Sequence, residues 1–234
     1  MFGLSPKSRI IALAAPLALI ASTGLIGFAA ADAAEPLKNA PAAAVDDKET
    51  GTRATAYFAG GCFWGVEGVF SHVKGVISAE SGYAGGPAKL TVSYEEVGSG
   101  QTGYAEAVKV VYNPQQVSYG TLLRIFFSVI TNPTQLNYQG PDHGTQYRNA
   151  LFPQNPVQTK VAKAYLAQLS KAKLWNDPIV TKLESLGRFQ RAEDYHQNFL
   201  ELNPNQGYIK AWDMPKLNGL KSMYPALYKA QASS

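Results

Sequence analysis

The chain has 234 residues, of which 46% are hydrophobic, and its formal net charge is +4 at pH 7. This is enough apolar material for one core and one domain. The lysines and arginines form no clustered stripe, so we expect no nucleic acid partner. The single cysteine excludes an internal disulfide.

The first 33 residues differ in composition from the rest. Lys7 and Arg9 precede an uncharged run over residues 10–30 that consists mostly of Ala, Leu and Ile. Ala31-Asp32-Ala33 then fits a small-residue cleavage site, so we predict a secretory signal peptide over residues 1–33. Because the run is long for such a signal, an uncleaved membrane anchor is the alternative. In both cases the protein is exported, to the periplasm or outside the cell, or faces outward from a membrane.

The chain after this signal divides into three parts. Residues 34–52 are rich in Ala and in small or charged residues without periodicity, so we predict a flexible linker. A compact domain follows over residues 53–212. Residues 213–234 mix polar and aromatic residues with two prolines, and we predict an irregular C-terminal tail.

Strands and helices are interleaved along the compact domain, which indicates an α/β or α+β class. The apolar patterns predict strands over residues 55–59, 76–81, 104–112, 146–152 and 179–183. They predict helices from residue 62, from the N-cap Ser118, over residues 155–174 and over residues 192–202. Residues 82–87 are expected to form a glycine-rich loop.

The only cysteine lies at a strand-to-helix turn. Gly60-Gly61 ends the first predicted strand, and the predicted helix begins at Cys62. Backbone N–H groups and the dipole of a helix N-terminus favour a thiolate, so we expect a lowered pKa and a nucleophilic role for Cys62. The alternative is a cysteine packed as a small hydrophobe. A lone thiol in an oxidising compartment favours the functional interpretation.

A carboxylate lies on the strand predicted over residues 104–112. Glu106 shares one face of this strand with Val108 and Val110. If that face is buried, desolvation raises the carboxyl pKa and keeps a proton available near neutral pH. The alternative is a strand-end carboxylate in water.

The loop over residues 140–145 places Asp142 beside His143, which suggests a metal site at first sight. The chain has only three histidines, at unrelated spacings, so we expect no metal. We expect His143 to satisfy local backbone groups instead.

Several ordered motifs resemble the A-type peptide methionine sulfoxide reductases. The blocks, in chain order, are Gly61-Cys62-Phe63-Trp64-Gly65, residues 94–97, residues 99–108, Asp142-His143-Gly144-Thr145-Gln146-Tyr147-Arg148 and residues 192–197. The match as a whole covers about residues 53–208, nearly the whole predicted domain. The resemblance implies a two-layer mixed-sheet sandwich with a split βαβ (ferredoxin-like) core. It identifies the domain over residues 53–212 as catalytic.

The resemblance also implies the reaction, which is reduction of the S epimer of methionine sulfoxide, in proteins and free. It implies that Cys62 is the nucleophile and Glu106 the general acid. A sulfoxide sulfur is a poor electrophile until its oxygen is protonated or hydrogen-bonded, so a thiolate opposite a neutral acid suits this chemistry. Attack gives methionine and a sulfenic acid on Cys62, which a thiol must reduce.

Five further residues match substrate-binding positions of the family. The resemblance implies that Tyr94, Asp142 and Tyr147 bind and polarise the sulfoxide oxygen, and hydroxyl groups can donate to charge developing there. It implies that Phe63 and Trp64 form an apolar wall for the S-methyl group, where sulfur–aromatic contact favours a thioether product.

Two positions depart from the family pattern. Tyr104 stands where the family usually has His, which affects the tuning of the site. Ile209 follows Gly207-Tyr208, where many members have a resolving cysteine. We therefore predict a one-cysteine cycle without a cofactor, in which an external thiol regenerates Cys62. This thiol is a thioredoxin- or glutaredoxin-like protein or a small thiol. Oxidised peptides and proteins are the expected substrates, and we expect a monomer.

Two other classes of function compete with this one. A module that binds methionine or its sulfoxide without turnover would accommodate both departures. A cysteine hydrolase would need a histidine base near Cys62, for which His143 is the one candidate through the Asp142 loop.

Overall fold

The computed structural model describes residues 36–233, so the predicted signal peptide lies outside the described residues. The strands are β1 (Ala54–Gly60), β2 (Val76–Ala84), β3 (Ala105–Tyr112), β4 (Tyr138–Gln139), β5 (Asp142–His143), β6 (Asn149–Leu151), β7 (Lys182–Leu183) and β8 (Gln190–Arg191). The α-helices are α1 (Phe63–Ser71), α2 (Tyr94–Gly98), α3 (Tyr119–Ile125), α4 (Pro156–Ala172), α5 (Phe199–Leu202) and α6 (Met214–Met223). No helix within residues 36–233 is long and apolar enough to cross a membrane.

A six-stranded mixed sheet in the order β7-β6-β1-β3-β2-β8 forms the frame. Strands β1 and β2 are joined by α1, and β3 lies between them, antiparallel to both. This is the split βαβ arrangement, and the predicted α/β mixed-sheet fold is confirmed. Strand β4 pairs with β5 in a separate two-stranded hairpin.

The two faces of the sheet bury different residues. Phe58 of β1 and Val108 and Val110 of β3 lie in the large core beneath α1 and α3. The alternate residues, such as Ala59 and Ala107, lie in a small cluster on the opposite face. Glu106 belongs to the helix-side face, because it alternates with Ala105 and Ala107 along β3.

Several predicted boundaries are wrong. Strand β2 extends through Ala84 into the predicted glycine-rich loop, because Gly82 pairs with Ala107 and leaves no room for a side chain against Phe189. The strands predicted over residues 146–152 and 179–183 are shorter, at three and two residues. The polar segment around Tyr94 is helix α2, which begins with a capping box between Ser93 and Glu96.

The helix predicted over residues 192–202 is also wrong in extent. A 3-10 turn over Asp194–His196 precedes the four-residue α5, and Asn198 between them has a left-handed backbone with φ of 54°. Such a residue interrupts a right-handed helix. A π-helical turn over Ile209–Asp213 leads into α6, so the predicted irregular tail contains a ten-residue helix.

The predicted flexible linker is instead bound to the domain. Its residues 36–49, which we call the N-terminal strap, have no helix or strand, yet Ala40 is fully buried. Arg124 Nε donates to the Ala40 carbonyl at 2.8 Å, and Tyr165 Oη donates to the Pro41 carbonyl at 2.7 Å. Asp46 accepts a hydrogen bond from the Gly120 N–H at 3.0 Å.

Candidate active site

The cysteine lies where β1 ends and α1 begins, as predicted. Cys62 is the N-cap residue of α1, and its side chain is 7% exposed. Gly61 has φ of 98°, and a Cβ there would meet Gln139 at 2.6 Å, so both backbone conformation and space require glycine. The backbone N–H of Trp64 in the first helical turn acts to lower the pKa of the Cys62 thiol. The turn therefore directs the sulfur toward helix donors.

The candidate acid lies beside the same helix terminus. Glu106 Oε2 accepts the Phe63 N–H at 3.0 Å, and the side chain is 2% exposed. Burial raises the pKa of Glu106 to about 8, against the lowering effect of the Phe63 hydrogen bond. The expected burial of Glu106 is confirmed, and its raised pKa favours the neutral acid near neutral pH.

The expectation of a lowered cysteine pKa is wrong for the site as the structure describes it. Burial raises the pKa of Cys62 well above its usual value, and the charges of Glu106, Asp213 and Asp142 raise it further. The Trp64 N–H lowers the pKa but has a weaker effect. The resting site therefore holds a thiol, and its proton must leave before the sulfur attacks.

An aromatic wall surrounds the start of α1. The Trp64 ring stacks on Phe199 with a centroid distance of 3.8 Å, and its Nε1 donates to His196 Nδ1 at 3.0 Å. Phe63 is 1% exposed and packs against His196 and Tyr94, with ring centroids 4.9 and 6.4 Å apart. Both residues that the resemblance implies for the S-methyl wall therefore belong to one apolar surface.

Two tyrosines approach the site from separate elements. Tyr94 begins α2, and its N–H donates to Glu193 Oε1 at 3.0 Å, which fixes the start of that helix. Tyr147 ends the 3-10 turn over residues 145–147. Burial raises the pKa of both phenols, and the charge of Glu106 raises them further, so both remain protonated donors.

Three polar residues at the site were missed by the sequence analysis. Tyr208 Oη donates to Asp142 Oδ2, and its ring meets Trp64 edge-on at 5.9 Å. Asp213 is fully buried and pairs with Lys216 Nζ at 3.0 Å, next to Gly65 of the first turn of α1. An Asp and a Lys three residues apart are a recognisable pair, but the region was predicted to be irregular.

The histidine near the site is not the one that the sequence suggested. His196 contacts Phe63, Trp64 and Tyr94, whereas His143 is exposed and stacks on Tyr138 at 5.3 Å. Because His196 Nδ1 accepts from the indole, the ring proton is assigned to Nε2. Burial lowers the pKa of His196, so the ring is neutral. Within residues 36–233, no group of three or more His, Cys, Asp or Glu could hold a metal ion.

The two positions that depart from the family pattern have structural roles. Tyr104 is 1% exposed, and its hydroxyl lies 2.9 Å from the carbonyls of both Pro87 and Leu90, so it fixes the loop after β2. Ile209 is fully buried in the π-helical turn, where a side chain has no access to solvent.

The comparisons with known proteins agree with this geometry. The family model described as "Peptide methionine sulfoxide reductase" matches residues 54–226. The peptide methionine sulfoxide reductase MsrA 2 of Mesorhizobium japonicum is 55% identical over 184 residues, which cover 79% of this chain and 94% of that protein. The MsrA 2 of Synechocystis is 44% identical, over 82% of this chain and 90% of that protein.

Solved structures show the same fold. The reduced form of Mxr1 from Saccharomyces cerevisiae superposes with a TM-score of 0.59 at 33% identity, over 70% of this chain and 92% of that one. Methionine sulfoxide reductase A of Corynebacterium diphtheriae gives 0.55 at 33% identity, over 75% and 90%. The chain is therefore an oxidoreductase. It belongs to the peptide methionine sulfoxide reductases of the A type.

Proposed function

We propose that this enzyme reduces the S epimer of methionine sulfoxide, in proteins and free, through a sulfenic acid on Cys62. One observation carries the proposal. Glu106, a buried acid with a pKa of about 8, hydrogen-bonds the amide that follows Cys62, so proton donor and nucleophile share one helix terminus. Sulfoxide reduction needs this pair, because the sulfur becomes electrophilic only as its oxygen gains a proton.

The chemical step balances within the site. The Cys62 sulfur attacks the sulfoxide sulfur, the oxygen transfers to Cys62, and the products are methionine and a cysteine sulfenic acid. The proton that leaves the thiol passes through Glu106 to the departing oxygen. The reactive state therefore has one proton on the pair, with a thiolate on Cys62 and a neutral acid on Glu106.

Stereochemical selection follows from three fixed directions. Phe63 and Trp64 provide an apolar surface for the methyl group, while Tyr94 and Tyr147 donate hydrogen bonds to the oxygen and Glu106 donates a proton. The attacking Cys62 sets the third direction. With these three fixed, only one epimer of a chiral sulfoxide places its peptide chain toward solvent. We assign this arrangement to the S epimer, in agreement with the family resemblance.

Asp142 takes a supporting role in this proposal. An ionised carboxylate only accepts hydrogen bonds, and Asp142 accepts one from Tyr208. Its second oxygen suits a substrate N–H better than the sulfoxide oxygen. We therefore assign polarisation of the oxygen to the tyrosines and Glu106, and orientation of the substrate main chain to Asp142.

An external thiol completes the cycle. Because Cys62 is the only cysteine in the chain, no internal disulfide can form. A first thiol displaces water from the sulfenic acid and forms a mixed disulfide, and a second thiol releases reduced Cys62. Cys62 is 7% exposed, which suits a small thiol or the protruding dithiol of a thioredoxin- or glutaredoxin-like protein.

We also propose that the enzyme repairs oxidised proteins outside the cytoplasm. The support is the basic start and the uncharged apolar run of residues 1–33. Cell fractionation and N-terminal sequencing test this. An exported chain that begins at Ala34 supports a cleaved signal, an exported uncleaved chain supports an anchor, and a chain confined to the cytoplasm contradicts the proposal.

The reaction itself is tested by single-turnover reduction of separated S and R epimers of a methionine sulfoxide peptide. We expect one methionine per enzyme from the S epimer only, with one sulfenic acid trapped on Cys62. Cys62→Ser is the matched control and should release no methionine. Binding of the peptide without methionine release would make the protein a recognition module.

The external thiol is tested by mass spectrometry after one turnover without reductant. We expect monomeric enzyme with one added oxygen, which a small thiol converts to a mixed disulfide at Cys62. An obligatory disulfide between the Cys62 residues of two chains would contradict the cycle.

A further inference from the structure

A cavity lies on the far side of the segment that precedes Asp142. Its volume is about 60 Å³. Its walls come from the N-terminal strap, the helical turn after α3, the β4–β5 turn and the start of α6. The apolar side chains that line it include those of Pro36, Leu37, Val129, Pro141, Trp175 and Trp212.

This cavity shares walls with the active site. Tyr208 and Lys216 both line it. The Tyr208 hydroxyl is bonded to Asp142, and Lys216 is paired with Asp213 beside the first turn of α1. On the opposite wall, Gln139 lines the cavity, and its Cβ lies against Gly61, the neighbour of Cys62. A substrate that reaches Cys62 therefore passes close to the cavity.

The N-terminal strap forms one wall and is firmly held there. Leu37 packs on Gly219 of α6, where an added Cβ would meet its Cδ1 at 2.5 Å. The neighbouring Lys38 N–H donates to the Ser128 carbonyl at 3.0 Å. Since Leu37 is 39% exposed, it stands at the edge of the cavity rather than inside the core.

We propose that this cavity is a subsite for an aliphatic side chain next to methionine sulfoxide in the substrate polypeptide. The proposal rests on the proposed function. The methyl group already has the Phe63–Trp64 wall, so a second apolar cavity that shares Tyr208 with the site fits a neighbouring residue. A dry cavity of about 150 Å³ holds a benzene-sized group, so one of about 60 Å³ excludes an aromatic ring and leaves room for only part of an aliphatic side chain, whose remainder stays at the mouth of the cavity.

The charges around the cavity restrict which substrate side chains it can accept. Lys38 and Lys216 are the two cationic residues that line it among the described residues. Lys216 is neutralised by Asp213, whereas Lys38 has no ion-pair partner within residues 36–233. A substrate lysine at the same position would meet the uncompensated charge of Lys38, so we expect the subsite to favour Leu or Ile and to disfavour Lys.

The test compares kcat/KM for short peptides in which glycine, leucine or lysine stands directly before or directly after methionine-S-sulfoxide. We expect leucine to exceed glycine by about tenfold at one of the two positions, since apolar groups in such pockets give discrimination of this size. Lysine should fall below glycine at that position. Equal values for all peptides would overturn the subsite and leave the proposed function intact, whereas no reduction of any peptide would overturn the proposed function.

Two variants of Leu37 in the N-terminal strap test whether the preference for leucine over glycine arises at this cavity. Leu37→Ala should reduce the leucine-to-glycine ratio about threefold, and Leu37→Asp, which places a charge on the wall, should bring it near one. Leu90→Ala is the matched control, because Leu90 has a similar exposure of 42% and does not line the cavity. A preference that survives Leu37→Asp would show that the leucine side chain binds elsewhere and would contradict the proposal.

Discussion

Two buried glutamates, one beside the start of α1 and one within that helix, differ in the hydrogen bonds that their surroundings supply. Glu106 faces the helix start, and Glu67 lies in the middle of the helix, and both are 2% exposed. Burial raises the pKa of Glu106 to about 8 and that of Glu67 to about 7. Burial and a raised pKa are therefore common to both and do not distinguish a reactive carboxyl from a structural one.

The hydrogen bonds separate the two residues. Glu67 uses both oxygens, because Ser81 Oγ donates to Oε2 at 2.8 Å and the Asn198 N–H donates to Oε1 at 3.1 Å. Among the described residues, Glu106 receives one hydrogen bond, from Phe63 to Oε2. Its other oxygen is available to a proton from Cys62 or to a sulfoxide. We infer that a free oxygen toward the nucleophile, rather than burial, identifies the acid.

The largest expected effect is on the rate of the chemical step. Glu106→Gln keeps the shape and the bond from Phe63 but removes the proton, so sulfenic acid formation should slow by about 10²–10⁴-fold. Glu67→Gln, the matched control, should change this rate by less than about threefold, because Glu67 has no free oxygen toward the site. Single-turnover trapping measures both, and equal losses in the two variants would refute the comparison.

The second expected effect is on stability and concerns Glu67. Its pKa in the folded state is raised from 4.5 to about 7, so the unfolded chain ionises at lower pH than the folded one. The free energy of unfolding therefore falls as pH rises from about 4.5 to about 7 and is then constant. Glu67→Gln removes this contribution, which amounts to roughly 3 kcal/mol.

Urea unfolding at pH 5 and pH 8 measures this effect. The wild-type enzyme should lose more stability between the two pH values than Glu67→Gln does. Because Glu106 titrates in both proteins, the difference between them isolates Glu67. An identical loss in both would show that Glu67 is already ionised at pH 5.

Local patterns predicted the part of the fold that carries the two glutamates. Strand β1, the Cys62 turn and β3 follow from apolar alternation and from Gly60-Gly61, and Ser118 caps α3 by accepting from the Thr121 N–H. The split βαβ core came from the family resemblance and needed several ordered motifs. The position of Glu106 on the buried face followed from alternation alone.

Long-range contacts explain what local patterns missed. The N-terminal strap has no periodicity, and its bonds join residues far apart in sequence, such as Asp46 and Gly120. Helix α6 was missed because Pro215 was interpreted as a break, although proline is well tolerated in the first turn. The family model reaches residue 226, which includes this helix.

The pKa of Cys62 is a second property that depends on long-range contacts and that local patterns did not predict. The helix terminus alone predicts a lowered pKa, and the Trp64 N–H acts in that direction. The outcome depends on burial and on three carboxylates from β3, β5 and the turn before α6, which only the tertiary structure brings together. Tyr208 could have been found from Gly207-Tyr208, which the sequence analysis considered only for a missing cysteine.

A third expected effect is the pH dependence of kcat/KM. Below about pH 8 both Cys62 and Glu106 are protonated, and the reactive state has lost one of these two protons. The activity should therefore rise about tenfold between pH 6.5 and 7.5, level off above about pH 8 and fall only when the second proton leaves. In Glu106→Gln only Cys62 titrates, so the rising limb should move to higher pH. If the rising limb of the pH profile stays at the same pH in Glu106→Gln, a group other than Glu106 and Cys62 controls it.

The smallest expected effect tests why Glu67 is structural. Ser81→Ala removes the donor to Glu67 Oε2, and Ser81 is fully buried, so water cannot replace it. At pH 5, where Glu67 is neutral, the free energy of unfolding should fall by about 1 kcal/mol. At pH 8, where Glu67 is charged, the fall should be larger, because a buried carboxylate then lacks a donor.

Urea unfolding at both pH values measures these two losses of stability, with Ser99→Ala in the exposed turn after α2 as the control. If Ser81→Ala lowers the free energy of unfolding equally at both pH values, the hydrogen bond does not stabilise the charged form of Glu67. The two hydrogen bonds to the Glu67 oxygens would then not explain why this carboxyl is unreactive.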